Sequence, residues 1–275
     1  MIQRRFRIRA GVGAALAFLA AYAFVYIVMP FPEPWSDLIS VGMTPLAALA
    51  AACVAALVWR RYGKSTLPRG IWRDLMLALL GWAVAEAIWF WAYYLGGEEL
   101  AAFGLADLFW VISYGLFASA LLRQYISIYR PRREIWIAYL ALSAASVLTF
   151  AFLFSMWLAN ANRVAFTLQT LVNSFYPIGD IALSIGALVL AYSFRDGALG
   201  RPWLGLLAFT FSDLLYTLLN ASGTYAWSLV EGNFLTAVTD ISYLAAYLVM
   251  ALGCYLQLIL LSYGPRLTYD KPNQP

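Results

Sequence analysis

The chain contains no histidine, which excludes histidine-ligated haem, Ser-His catalysis and imidazole proton relays. Lysine is almost missing: Lys64 and Lys271 are the only two, and both fall outside the apolar segments, so a Schiff base buried in a membrane is excluded. Cys53 and Cys254 each stand alone in an apolar run, giving neither a CxxC metal site nor a disulfide framework. No GxGxxG or GxxxxGK[ST] loop is present to cradle a nucleotide. Charge of either sign is scarce, at 12% of residues against about 25% in an average soluble domain.

Apolar sequence fills the space these residues leave. The composition is 63% hydrophobic, arranged as runs of about 20 residues between charged or Pro/Gly-rich breaks, as a hydrocarbon core of about 30 Å requires of helices. The runs lie near 9–30, 38–59, 71–95, 104–128, 135–158, 166–193, 202–221 and 233–261. They predict an all-α fold, a polytopic membrane bundle of about eight transmembrane helices. One transmembrane domain is expected over 1–265, with a short cytoplasmic tail at 266–275 too polar and brief to fold alone. The opening "MIQRRFRIRAGVGAALAFLAAYAFVYIVMPFP" has an apolar stretch longer than a secretory h-region of about 7–15 residues, and no small-x-small cleavage site follows. It reads as a retained first span.

Basic residues cluster at Arg4, Arg5, Arg7 and Arg9, at 60–73, around 123–133, at Arg195 and Arg201, and in the tail at Arg266 and Lys271. With about eight spans all of these fall on one side, and only Arg163 falls on the other, with Glu33, Glu98, Glu99 and Glu231. The positive-inside rule then places both termini in the cytoplasm of a bacterial inner-membrane protein. The formal charge of +4 follows from this topology and the anionic inner leaflet, so the bilayer is the expected partner and no nucleic acid is needed.

Acids inside the spans carry the chemistry. "YPIGDIALSIGALVLAYSF" (176–194) sets Asp180 within apolar sequence with nothing basic nearby, and Glu86, Asp107, Asp213 and Asp240 are in the same position. An ionised carboxylate in hydrocarbon costs at least about 2.5 kcal/mol. Each acid is therefore expected to face the bundle interior, protonated, hydrogen-bonded or matched by a cation. Their neighbours follow helical spacing: Trp82, Glu86, Trp89 and Tyr93; Asp107, Trp110 and Tyr114; Asp213, Tyr216 and Asn220; Asp240, Tyr243 and Tyr247; and Gln169, Asn173, Tyr176, Asp180 and Ser184. Polar stripes on apolar helices turn away from lipid, so these are expected to converge.

The stripes also recur. "GWAVAEAIWFWAYYLGG" (81–97) aligns with "LAFTFSDLLYTLLNASG" (207–223), and "ADLFWVISY" (106–114) with "TDISYLAAY" (239–247). Pro45 in "MTPLAALA" matches Pro177 in "FYPIGDIA", with Ala48 where Asp180 stands. About four spans per half would make this a parallel repeat, halves near 9–128 and 135–261, packed about an axis along the membrane normal with a site between.

The order W-x3-E-x2-W, then "ADLFW-x3-Y", "YPIGD", "SDLLY" and D-x2-Y-x3-Y over residues 71 to 261 resembles the integral-membrane sensory region of bacteria and archaea. That region is found ahead of diguanylate cyclase, phosphodiesterase or histidine kinase modules. The resemblance implies a sensory or ligand-binding role, and because the sequence stops where the output module would begin, a stand-alone or accessory one. "GD" in one span and "SDLLY" in a later one are also similar to lysoplasmalogenase-like membrane hydrolases, which would make Asp180 and Asp213 a reactive pair. The histidine-containing stretch of that family has no counterpart.

The sequence thus points to a binding module, not an enzyme. Glu86, Trp89, Asp107, Trp110, Tyr114, Asn173, Tyr176, Asp180, Asp213, Tyr216, Asp240, Tyr243 and Tyr247 are expected to line its interior site. Carboxylates beside aromatic faces suit an ammonium, a flat pigment or a lipid head group entering from the outer face, with Asp180 as the floor. A signalling protein or a larger membrane complex is the expected protein partner, and no cofactor is indicated. The alternatives are a structural subunit whose acids hold helices together at about 0.6 kcal/mol per bond, a proton- or cation-coupled transporter, and the hydrolase.

Overall fold

Inside a bilayer no water is available to the backbone, so each segment must satisfy its N–H and C=O groups within itself, and helices result. The computed structural model describes residues 2–32, 35–63, 66–92, 96, 104–128, 168–193, 202–225 and 233–263. Among these residues there are helices and no strands. The helices are α1 (Ile2–Val28), α2 (Trp35–Arg61), α3 (Leu67–Phe90), α4 (Leu105–Ile128), α5 (Leu168–Ser193), α6 (Leu204–Ala221) and α7 (Phe234–Tyr263). Five of them, α1, α2, α4, α5 and α7, are long and apolar enough to cross a membrane. α3 holds Arg69, Arg73, Asp74 and Glu86 within its 24 residues, and α6 is a shorter apolar helix of 18. The described residues are therefore those of a helical membrane protein. The span expected at 135–158 lies outside the described residues.

Local chemistry sets the helix ends. α3 starts with proline in its first turn, where a missing N–H costs nothing. It ends in a π-type turn at 91–92 closed by Gly96 N–H donating to Trp91 C=O at 2.9 Å, short of the expected boundary at 95. α6 stops at Gly223, whose φ of 69° lies in the left-handed region that glycine enters freely. Pro45 and Pro177 sit inside α2 and α5. Each removes one ladder bond, releasing the carbonyls of Val41 and Asn173.

Successive helices pack side by side. α3 and α4 run antiparallel, with Gly81 against Phe109 and Ser113 at one level and Asp74 against Ser119 and Arg123 at another. α6 and α7 are also antiparallel, pinned by Ser212 and Ser242 hydroxyls at 2.8 Å. At Gly205 a Cβ would lie 2.9 Å from the Cβ of Met250, so only glycine permits that approach. α2 turns a face of small residues (Ala47, Ala48, Ala51, Ala52, Ala55) into the core, where neighbouring backbones can come close. α4 and α5 run parallel, Tyr114 lying on Gly179 and Leu121 on Gly186. α2 and α7 are parallel too, Gln257 Nε2 donating to the Tyr62 hydroxyl at 2.9 Å. Helices α2 to α7 thereby close into a ring, and α1 lies outside it against α7 and α2.

This arrangement brings the described arginines to one end. Arg7 lies over the Tyr263 ring at 5.1 Å, Arg69 donates to Tyr62 C=O at 2.9 Å, and Arg123 pairs with Asp74 at 2.9 Å. Asp74 is buried and also takes Arg73 at 2.7 Å, an ion-paired clamp between the ends of α3 and α4. If this end faces the cytoplasm, reporter fusions after Arg61 and after Gly97 will report opposite compartments. Finding both in one compartment would refute the topology.

Candidate functional site

The core of the ring is aromatic. Trp82 on α3 is only 3% exposed. Its ring meets Tyr114, Phe117, Phe209 and Tyr247 edge-on, at centroid distances of 5.8, 4.7, 4.6 and 6.0 Å. Such pairs add about 0.5–1.5 kcal/mol each beyond area burial. One turn further along α3, Glu86 Oε1 accepts from Tyr243 at 2.6 Å and from Tyr247 at 2.9 Å. The two phenols are one turn apart on α7, so a single helix face supplies both donors.

Between α4 and α5 the pairing is reciprocal. Tyr176 of α5 donates to Asp107 of α4 at 2.6 Å, and Tyr114 of α4 donates to Asp180 of α5. Two parallel helices can exchange bonds in this way because both step in the same direction. Gly179 is required here, since a Cβ would sit 2.7 Å from the Tyr114 ring.

Asp180 is satisfied on one oxygen only. Its side chain is 2% exposed, and Oδ2 has no hydrogen-bond donor among the described residues. The neighbouring group is the carboxyl of Asp213 on α6, which brings two acids into contact. Thr210 fixes the backbone here, donating to Asp180 C=O at 3.0 Å while meeting the Ser184 hydroxyl. The indole N–H groups of Trp82 and Trp110 are also buried without acceptors, Trp110 approaching Glu86 without completing a bond. Among the described residues no Arg or Lys pairs with Glu86, Asp107, Asp180, Asp213 or Asp240. No group of three His, Cys, Asp or Glu among them converges as metal ligands do. Two carboxyls in contact without a basic partner can hold a proton or an ammonium between them.

Asp240 belongs to a separate cluster. Tyr26 of α1 donates to one of its oxygens at 2.5 Å and Tyr225 to the other at 2.8 Å. Tyr216 packs edge-on against Tyr225 at 4.9 Å. Tyr225 lies in the loop after α6, where burial and then the Asp240 charge push its phenol well above the ordinary range. It therefore remains a donor throughout the working pH range.

Members of the expected stripes meet among the described residues. Glu86, Asp107, Trp110, Tyr114, Tyr176, Asp180, Asp213, Tyr243 and Tyr247 come together inside the ring. Asp240 and Tyr216 form the neighbouring cluster. Trp89 is half-buried on α3, and the side chain of Asn173 lies outside what is described. Asn220 is exposed. Three contributors were not legible in the same way. Tyr26 could have been found as the second member of a Tyr22/Tyr26 pair at helical spacing. Tyr225 sits in a loop without periodicity, and Asp74 lies beside Arg73, where it reads as ordinary loop charge.

No family model matches the chain, and neither does any curated protein or solved structure.

Proposed function

We propose that this membrane protein is a sensory or ligand-binding module whose interior acid-aromatic cluster receives a cationic, amphipathic small molecule from the outer end of the bundle. The observation that carries the reading is Asp180 Oδ2, a buried oxygen without a donor among the described residues, beside the Asp213 carboxyl and in the aromatic cluster that holds the Trp82 indole, whose N–H has no acceptor among them. An ammonium would balance the carboxyl pair, and the rings of Tyr114, Tyr176 and Trp82 lie close by, their faces able to attract it. Tyr176 and Asp107 lie about one turn nearer the end opposite the described arginines than Asp180, so they are the first groups met on entry. The ring also supports a twofold repeat: α2–α3–α4 and α5–α6–α7 pack in the same order, and the α2/α7 contact is the counterpart of the α5/α4 contact. With the arginine-rich end in the cytoplasm, this is the arrangement that a sensory region ahead of, or partnered with, a cytoplasmic output protein requires.

Two other readings each have an observation in their favour. Phenols occupy acceptors on Glu86, Asp107 and Asp240, which favours a structural subunit. The Asp180–Asp213 contact favours a lysoplasmalogenase-like hydrolase. Native mass spectrometry of gently extracted protein separates the three. The binding reading expects a co-purifying ligand that Glu86→Gln and Asp180→Asn lose and Glu98→Gln keeps. An empty wild-type protein whose stability falls in the core variants returns the structural reading, and turnover of a vinyl-ether lysophospholipid would establish the hydrolase.

A further inference from the structure

A cavity of about 330 Å³ opens at the arginine-rich end, between α1, α2 and α7. That is within the range of small-molecule sites, about 300–1,000 Å³. Arg7 comes from α1 and Arg61 from the last turn of α2, so two guanidinium groups on different helices line one space. Neither has a carboxylate partner among the described residues, and none of the described lining residues is acidic. Asp74, the acid described at this end, is already held by Arg73 and Arg123. Arg7 is fixed in place: its guanidinium rests on the Tyr263 ring, and its backbone C=O accepts from the Tyr255 hydroxyl at 3.1 Å. Leu258 lines the wall of the same cavity, and Ser262 adds a hydroxyl.

We infer that this cavity binds the phosphate of an anionic phospholipid, with Arg7 and Arg61 gripping the head group and the α7 wall taking the start of an acyl chain. Guanidinium groups match phosphate oxygens in a forked geometry that the ammonium of lysine lacks. Basic pockets between membrane helices are where such head groups are held. The site is independent of the acid cluster, which lies within the ring and attracts the opposite charge. Occupancy would fasten α1 to α2 and α7, the helices it packs against among the described residues. It would thus tie the outlying helix to the ring through a lipid.

The test uses the full chain in nanodiscs of phosphatidylcholine containing phosphatidylglycerol, followed by native mass spectrometry. Wild type should retain phosphatidylglycerol in preference to phosphatidylcholine. Retention should fall on the order of 25-fold in the Arg7→Gln/Arg61→Gln variant, at about fivefold per arginine. Arg7→Lys/Arg61→Lys should recover part of it, and Arg4→Gln/Arg5→Gln should stay near wild type. Ser262→Phe keeps both charges and fills the space, so it should lose the lipid as well. Retention by Ser262→Phe would mean attraction by bulk charge alone and would overturn the site, as would equal retention by wild type and Arg7→Gln/Arg61→Gln. Displacement of the lipid by millimolar inorganic phosphate would overturn the lipid assignment in favour of a free anion.

Discussion

Trp82→Ala should lower stability by about 3 kcal/mol, measured as thermal or denaturant unfolding in bicelles. Trp-to-Ala changes in soluble cores cost about 3–5 kcal/mol, part of it transfer from water and part the cavity left behind. In a bilayer the separated helices already rest in hydrocarbon, so the transfer part shrinks while the packing part remains. The low end of the range is therefore expected. Trp82 touches four rings edge-on, and its removal also frees Tyr114 and Tyr247, the donors to Asp180 and Glu86. Trp82→Phe keeps an aromatic in place and removes a buried N–H without an acceptor, so it should cost less than about 1.5 kcal/mol. Equal losses in the two variants would mean that the indole, and not the packing of the ring, holds the cluster.

Much of this architecture could be read from the sequence because the bilayer imposes one length and one polarity rule. The expected runs at 38–59, 104–128, 166–193, 202–221 and 233–261 meet helices α2, α4, α5, α6 and α7 within a few residues at each end. The interior face was legible for the same reason, since a carboxylate such as Glu86 or Asp180 has only one tolerable direction to point. Which acid meets which phenol was not legible. Periodicity places Tyr114 on the face of Asp107, its own helix neighbour, yet in the structure it serves Asp180, while Asp107 is served by Tyr176. That exchange depends on α4 and α5 running parallel at close range, a tertiary fact that no single helix encodes. Small residues hide the same information: Gly179 and Gly205 look like helix-weakening positions until the Tyr114 ring and Met250 are seen pressed against them. Tyr26 was overlooked because its partner Asp240 is 214 positions away along the chain.

Asp213→Asn should raise stability and abolish ligand binding together. In the wild type, Asp180 Oδ2 is a buried oxygen without a donor among the described residues, and the Asp213 carboxyl lies beside it. An asparagine at 213 brings two N–H donors to that position, where a carboxyl offers one only when protonated, while Tyr114 continues to donate to the other oxygen of Asp180. Giving that buried oxygen a permanent donor is worth about 1–3 kcal/mol, so a net gain of about 1 kcal/mol is expected after the cost of imperfect geometry. The same change removes one of the two carboxyls that would face an ammonium. Removing one partner of a buried charge pair costs about 2–5 kcal/mol, or roughly 30-fold and upward in affinity. Stability and function would thus move in opposite directions, as they do where a site is held under electrostatic strain for binding. Unfolding and ligand retention measured on the same preparation check both halves. A variant that loses stability together with ligand would place Asp213 among the helix-holding contacts instead, alongside Asp240 with its two tyrosines.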